Sequence, residues 1–373
     1  MKFSINRVQL LNALNVVSRA VNSKNPNVTL TGIKLELNDL GLTLTGTDSN
    51  IAICTFIPLT SNNETNITLF EPGETILSAK YITDIVRKLD CDLIELDLVE
   101  NTLMKIRDTN SDFSLNTMST IDYPAVDFSA SGSSFIIPGI TLKLIIEQTA
   151  FAASDKEARP ILTGVNFSCN NNVLSCVATD GYRLAKKIVN VENTSDFNVT
   201  IPAKTLIEIG RLLENEKEVE IKVSSNKIVF NLNNIKMSAR LINAAYPNTS
   251  KLVADSFLYT LYTLSSAMVS AIDRASLVSP EKSNFVKLSV SNENLIISSR
   301  SNEIGSVIER INNFSYQGNR LDISFTAKYV IDAIRALSCD EITFLFNGDT
   351  KSFVVKSNKD ESIIKLIKPV RTA

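Results

Sequence analysis

The chain has 373 residues, 44% hydrophobic and 21% charged, with a net charge of −2. That composition fits a globular protein and excludes a uniformly basic nucleic-acid binder, so any polyanion site must be a local basic surface. Histidine is absent, which removes histidine general bases, Ser-His and Cys-His nucleophile pairs and histidine metal ligands.

The chain opens with a strand at Phe3-Ser4-Ile5 and a helix over Val8 to Val21, with Leu10, Leu11, Leu14, Val17 and Val21 in one stripe. Arg7 and Arg19 interrupt the apolar pattern, so this is an amphipathic opening and not a signal peptide. Ile33 to Leu37 turns at Asn38-Asp39 into Leu42 to Thr45, a hairpin by turn chemistry. A helix follows from Ala79-Lys80 to Leu89. The order then recurs. Phe135-Ile136-Ile137 leads into a helix over Leu142 to Ala153, and Val165 to Ser168 turns at Asn170-Asn171-Asn172 into Val173 to Val177. A helix starts at Ala203-Lys204, and strands follow over Glu218 to Val223, Lys227 to Leu232 and Lys236 to Leu241. The third pass runs Phe257-Leu258-Tyr259, a helix over Leu264 to Ser276, a hairpin turning at Asn292-Glu293-Asn294, and a helix from Ala327-Lys328.

One pattern marks all three passes. Ala79-Lys80, Ala203-Lys204 and Ala327-Lys328 each open a stretch that continues through an acid (Asp84, Glu208, Asp332) and an arginine (Arg87, Arg211, Arg335) to a leucine. The lysines are spaced by 124 residues, a third of the chain. Units of this size are domains, not solenoid repeats. Each combines two helices with about eight short antiparallel strands, an α+β organisation. Tyr123-Pro124 and Tyr246-Pro247 close the first two units, giving domains 1–127, 128–252 and 253–373.

Seven residues apart on a helix, Lys80 and Arg87 point within about 20° of each other. Ile82, Ile85, Val86 and Leu89 take the opposite face. The charges could simply pair along the helix, worth about 0.2–0.5 kcal/mol per pair. The lysines fit that poorly, because the helix dipole disfavours a cation in the first turn. The same choice made three times points to an external anion that every repeat touches. Identical units packed head to tail close into a ring or run on as a filament. Closure would put the basic helices on one wall, inner or outer.

The remaining chemistry is sparse. Cys54, Cys91, Cys169, Cys176 and Cys339 form no CxxC pair and read as free thiols in a reducing cytosol. There is no apolar run of about 18 residues, so no membrane span is expected. No phosphate-binding glycine loop and no acidic cluster of metal-site spacing occur, so neither cofactor nor metal is expected. A non-catalytic binding protein follows.

Several stretches resemble the bacterial DNA polymerase III beta subunit, the sliding-clamp family. They are Met1-Lys2-Phe3, Arg159-Pro160-Ile161-Leu162-Thr163-Gly164-Val165, Ala178-Thr179-Asp180-Gly181-Tyr182-Arg183-Leu184-Ala185, Tyr246-Pro247, Asp273-Arg274-Ala275-Ser276 and Pro369-Val370-Arg371-Thr372. The resemblance covers the whole chain. It implies three tandem clamp domains in a cytoplasmic head-to-tail homodimer, a ring with helices lining the hole and sheets outside. It implies non-specific binding of double-stranded DNA through Lys24, Lys80, Arg87, Lys156, Arg159, Lys204, Arg211, Lys328 and Arg335. A basic wall attracts phosphates without reading bases.

It also implies a cleft for short linear peptides of the replicative polymerase, the clamp loader and repair proteins. Matching positions are Leu162, Thr179, Gly181, Tyr182, Arg183, Leu184, Pro247, Lys251, Leu252, Tyr329, Ser352, Leu366, Ile367, Pro369, Val370 and Arg371. For the dimer contact it points to Phe113 against Leu277 and Val278. Tyr182, Lys251, Ser283 and Lys368 depart from the family pattern: Tyr182 replaces a usual histidine, and Lys368 interrupts a usually apolar tail. Two competing readings are a protein-binding scaffold that never encircles DNA and a carboxylate-dependent nuclease, for which no acidic cluster is found.

Overall fold

A computed structural model describes the chain except residues 62–63, 194–195, 214–216, 280–283 and 372–373, so Ser283 and Thr372 lie outside the described residues. Among the described residues there are six α-helices: α1 (Arg7–Val17), α2 (Ala79–Lys88), α3 (Gly139–Thr149), α4 (Ala203–Gly210), α5 (Ser265–Ser276) and α6 (Ala327–Arg335). Each directly follows a strand, and α2, α4 and α6 each begin at the alanine of the Ala-Lys pair. The stripe read from the sequence is the buried face. It comprises Ala79, Ile82 and Val86 in α2, Ala203, Leu206 and Ile209 in α4, and Ala327, Val330, Ile331 and Ile334 in α6. Full burial of each large aliphatic side chain contributes about 1.5–3 kcal/mol.

Four elements differ from expectation. Helix α3 starts at Gly139, stops at Thr149 and tightens into a 3₁₀ turn, Ala150–Ala152, short of the expected Ala153. Helix α1 stops at Val17 and tightens into a 3₁₀ turn, Ser18–Ala20. Strand Gly41–Thr47 passes so close there that a Cβ on Gly46 would lie 2.4 Å from the Val17 carbonyl oxygen. Helix α4 ends at Gly210, a weak helix former, leaving Arg211 and Leu213 beyond its end. The third opening strand is Tyr259–Leu264, not Phe257 to Tyr259. In that register Leu261 and Thr263 are buried, and both edges are paired, by Phe314–Gln317 and Glu341–Phe346.

The chain divides into two compact units, each described by itself. The first comprises residues 1–140 and 211–241. Its strands form one continuous ladder running through Ser133–Pro138, Glu218–Val223, Lys227–Leu232, Ile235–Arg240, Ile51–Pro58, Gly41–Thr47, Gly32–Asn38, Gly73–Ser78, Asp112–Met118, Leu103–Arg107, Leu93–Val99, Lys2–Asn6 and Ile67–Glu71. The join between repeats is Ile235–Arg240 on Ile51–Pro58, with Met237 opposite Ile53. Helices α1 and α2 pack side by side, and α1 covers the strands Gly41–Thr47 and Ile51–Pro58. Asn6 caps α1, its Oδ1 accepting from the Val8 and Gln9 amides at 3.0 and 3.2 Å.

The second unit comprises residues 141–210 and 242–373. One sheet runs Phe197–Pro202, Gly164–Asn170, Val173–Thr179, Arg183–Asn190, Ile363–Ile367, Phe353–Ser357, Glu341–Phe346, Tyr259–Leu264 and Phe314–Gln317. A four-stranded sheet holds Gly305–Ile311, Leu295–Ser301, Phe285–Val290 and Leu321–Thr326. Helices α5 and α6 pack together over a core in which Phe325, Phe344, Phe346 and Phe353 have ring centroids 5.3–6.2 Å apart. The middle repeat thus contributes one set of strands to each unit, and in the second unit Leu184 sits opposite Leu366. That join builds the site described next.

Candidate functional site

The basic residues take two settings. Lys80, Lys204 and Lys328 are exposed in the first turns of α2, α4 and α6, with Lys80 Nζ 5.7 Å from the Tyr81 ring centroid. Arg87, Arg211 and Arg335 are exposed one helical repeat further on. Lys24, Lys156 and Arg159 are exposed on connecting segments. Pairing along the helix occurs in α2, where Arg87 donates to Asp84 at 3.0 Å. In α6 the equivalent acid turns away. Asp332 accepts from Arg183, 149 residues earlier, at 2.8 Å.

Arg183 belongs to a turn with a local cause. Asp180 Oδ1 accepts from the Tyr182 and Arg183 amides at 2.8 and 2.9 Å, and Thr179 Oγ1 donates to the Arg183 carbonyl at 2.6 Å. Gly181 lies at φ +90°, a conformation that glycine adopts without strain. The same turn occurs at Thr47-Asp48, where Asp48 Oδ1 accepts from the Asn50 and Ile51 amides and Thr47 Oγ1 donates to the Ile51 carbonyl. The turn is therefore scaffold. What the second copy adds is the side chains Tyr182, Arg183 and Leu184.

The Arg183 side chain is only 9% exposed, yet it is fully countered. Its Nε donates to Asp180 Oδ2 at 3.1 Å and its Nη1 to Asp332, while the guanidinium lies 4.6 Å from the Tyr329 ring centroid and 5.4 Å from that of Phe151. Charge-assisted pairs and ring stacking of this kind fix the plane of an arginine.

Beside it is a cleft of about 380 Å³, within the usual range for ligand pockets. Leu184 and Leu366 line it, and they belong to an apolar cluster with Val177 and Val354 against which Tyr246, Val253 and Phe257 pack. Of the residues named from the sequence, Leu162, Thr179, Gly181, Tyr182, Arg183, Leu184, Pro247, Leu252, Ser352 and Leu366 line it. Lys251, Tyr329, Ile367, Pro369, Val370 and Arg371 do not line it. Ile367 is 1% exposed and packs into the other core, because strand alternation turns it away from Leu366. Tyr329 acts from behind Arg183. Asn248 and Thr249 line the cleft and were not named from the sequence; Lys368, named there as a departure from the family pattern, and Arg159, named for DNA, line it too. No local signal marks Asn248 or Thr249. They follow Tyr246, which packs against the apolar cluster of Leu184 and Leu366.

Beneath this strand lies a buried cation. Lys365 is 1% exposed, donates to the Gln148 carbonyl near the end of α3, and sits 5.2 Å from the Phe151 ring centroid. Burial, then the nearby Lys187 charge, pushes its ammonium down to about 7, opposed by Asp360. Lys187 is itself held by Asp360 and Ser362, each at 2.7 Å.

A repeated α+β unit with a basic helix in each copy and one apolar, peptide-sized cleft defines a clamp-fold binding protein. Residues 1–127, 136–248 and 260–371 match the N-terminal, central and C-terminal domains of the DNA polymerase III beta subunit. The chain belongs to the DNA polymerase III beta subunit family. It is 37% identical over 377 residues to the beta sliding clamp of Bacillus subtilis and 36% identical over 375 residues to that of Staphylococcus epidermidis, with all of each chain covered. The crystal structure of the DNA polymerase sliding clamp from Bacillus subtilis superposes with a TM-score of 0.95 at 36% identity, and the DNA polymerase III beta chain from Streptococcus pneumoniae with 0.95 at 31%, again over all of both chains. Its function is that of a non-catalytic processivity factor in DNA replication. No helix among the described residues is long and apolar enough to cross a membrane.

Proposed function

We propose that the chain forms a cytoplasmic head-to-tail dimer, a closed ring of six domains (1–127, 128–252 and 253–373 in each copy) that encircles duplex DNA and slides along it. The observation that carries this reading is the exposed lysine in the first turn of three equivalent helices, Lys80, Lys204 and Lys328. A few cations on a net-acidic body give weak, salt-sensitive phosphate contact, and topology rather than affinity prevents escape. The expected result is loader-dependent retention on nicked circular DNA and release on linearisation. Charge reversal of Lys24, Lys156 and Lys204 should lower loading severalfold at about 0.1 M salt, with the melting temperature unchanged. Loading unaffected at any salt would remove these residues from the DNA surface. Equal retention on circular and linear DNA would favour the scaffold reading.

Ring closure draws on two open sheet edges. Strand Asp112–Met118 carries exposed Phe113 and, among the described residues, is paired along its second edge only through Thr117 and Met118. Strand Gly305–Ile311 ends the four-stranded sheet with Ile308 58% exposed, near Leu277 at 76% on the cap of α5 and half-buried Val278. Exposed apolar edges of this kind are association surfaces. Pairing the two between copies covers Phe113, Leu277 and Val278. Ile308→Asp should raise the dimer dissociation constant at least about tenfold, a 1.4 kcal/mol effect, read by analytical ultracentrifugation. An unshifted constant would place the contact elsewhere.

The cleft receives short linear peptides of the polymerase, the clamp loader and repair proteins. A Pseudomonas aeruginosa sliding clamp, 25% identical with a TM-score of 0.92, has been solved bound to griselimycin. The departures Tyr182 and Lys368 both line the cleft, so they bear on which peptides it prefers, whereas Lys251 does not line it.

A further inference from the structure

Next to the apolar cleft is a second recess of about 340 Å³, and Arg159, Leu162, Gly181, Tyr182 and Lys368 line both. Lys156 lines the second recess alone, together with Ser154 and Asp180. Three cations therefore converge on it: Lys156, Arg159 and Lys368. None of the three has a carboxylate partner among the described residues. Asp180 offers little counter-charge, because its carboxylate is held by Arg183 and its own turn amides. Two of the three have their backbone amides anchored beside the recess. Lys368 is fixed by its amide, which donates to the Tyr182 carbonyl at 2.8 Å, and Lys156 by its amide on Ser154 Oγ at 3.1 Å.

We propose that this recess is a carboxylate-selecting extension of the peptide cleft, taking Asp or Glu side chains that flank the apolar docking residues of a linear peptide. The inference rests on the peptide reading of the cleft given above. Cations gathered around a concave recess add their fields and attract an anion more strongly than one isolated on an open surface. A recess of this size admits side chains, whereas a duplex would touch only its rim. Tyr182, 60% exposed between the two recesses, lets a bound chain pass from apolar floor to basic wall.

Two synthetic peptides test this, sharing one leucine-rich core and flanked by Asp-Glu or by Asn-Gln. The acidic peptide should bind about tenfold tighter at low salt, with the advantage shrinking at high salt. Lys156→Ser and Lys368→Met should each pull the ratio of the two affinities towards one, and Leu184→Asp should lose both peptides alike. A ratio near one in the unaltered protein, or a ratio that neither lysine variant changes, would overturn the carboxylate assignment while leaving the cleft intact. Lowered DNA retention in Lys156→Ser with an unchanged ratio would assign that cation to DNA and overturn it too. If neither peptide binds the unaltered protein, the cleft reading fails and takes this inference with it.

Discussion

Leu184→Asp should abolish binding of an apolar linear peptide, weakening it more than about a hundredfold, close to 3 kcal/mol. Leu184 is 4% exposed, stands opposite Leu366 across the strand join, lines the cleft and packs in one cluster with Val177 and Val354. A carboxylate there removes apolar contact and puts an unpaired charge where the ligand must desolvate it. Its neighbour Arg183 cannot rescue the charge, because Asp180 and Asp332 already hold it. Fluorescence anisotropy with a labelled peptide reads the loss, and the thermal melt shows whether the fold survives. Leu252→Asp, at an exposed position on the cleft rim, gives an independent test with little threat to folding. Unchanged affinity in both would exclude the cleft as the peptide site.

Lys365→Met should change how stability depends on pH. The folded protein holds this ammonium at about 7, against 10.5 for an ordinary lysine. Between those values the unfolded chain binds more protons than the folded one, so stability rises with pH across the window. Below pH 7 the full penalty of burying the charge is present. As pH rises towards 10.5 it fades, because the folded lysine is already neutral and the unfolded one becomes so. The stability of Lys365→Met relative to the unaltered protein should therefore be greatest below pH 7 and decline by up to about 5 kcal/mol towards pH 10.5. The groups facing the ammonium are Lys187, Asp360, the Gln148 carbonyl and the Phe151 ring. Urea unfolding at pH 6.5, 8.5 and 10 measures the decline (the steps span the window of about 7 to 10.5), and a difference that stays flat would mean that Lys365 keeps its charge. Lys365 also stacks on Phe151, which in turn faces Arg183, so the variant should show a small loss in peptide affinity besides.

Much of the fold could be read from residue order. The three Ala-Lys helices begin at the expected residues, and their buried stripes follow from helical periodicity. The hairpin at Asn171-Asn172 closes as its turn chemistry requires, with both residues at positive φ. The α1 end and the Tyr259–Leu264 register were misplaced because each answers to a distant strand, Gly41–Thr47 in one case and two flanking strands in the other. In the cleft, the residues named from the sequence that face it come largely from one contiguous run around the Thr179-Asp180 turn. Ile367 was lost to strand alternation, which a family resemblance does not resolve residue by residue.

The sequence by itself determined that this protein is one unit used three times, with a basic residue offered at the same place in each. That information is local, a helical period and a fixed interval, and survives without knowledge of the packing. Only the tertiary structure decided that Asp332 serves Arg183 rather than its helical neighbour, that Lys365 is buried against a carbonyl 217 residues away, and that three unpaired cations meet beside an apolar floor. Each of these depends on strands of the middle and last repeats sharing one sheet. Side chains so far apart in the chain become neighbours through backbone pairing, and residue type alone does not say which partner a charge will find.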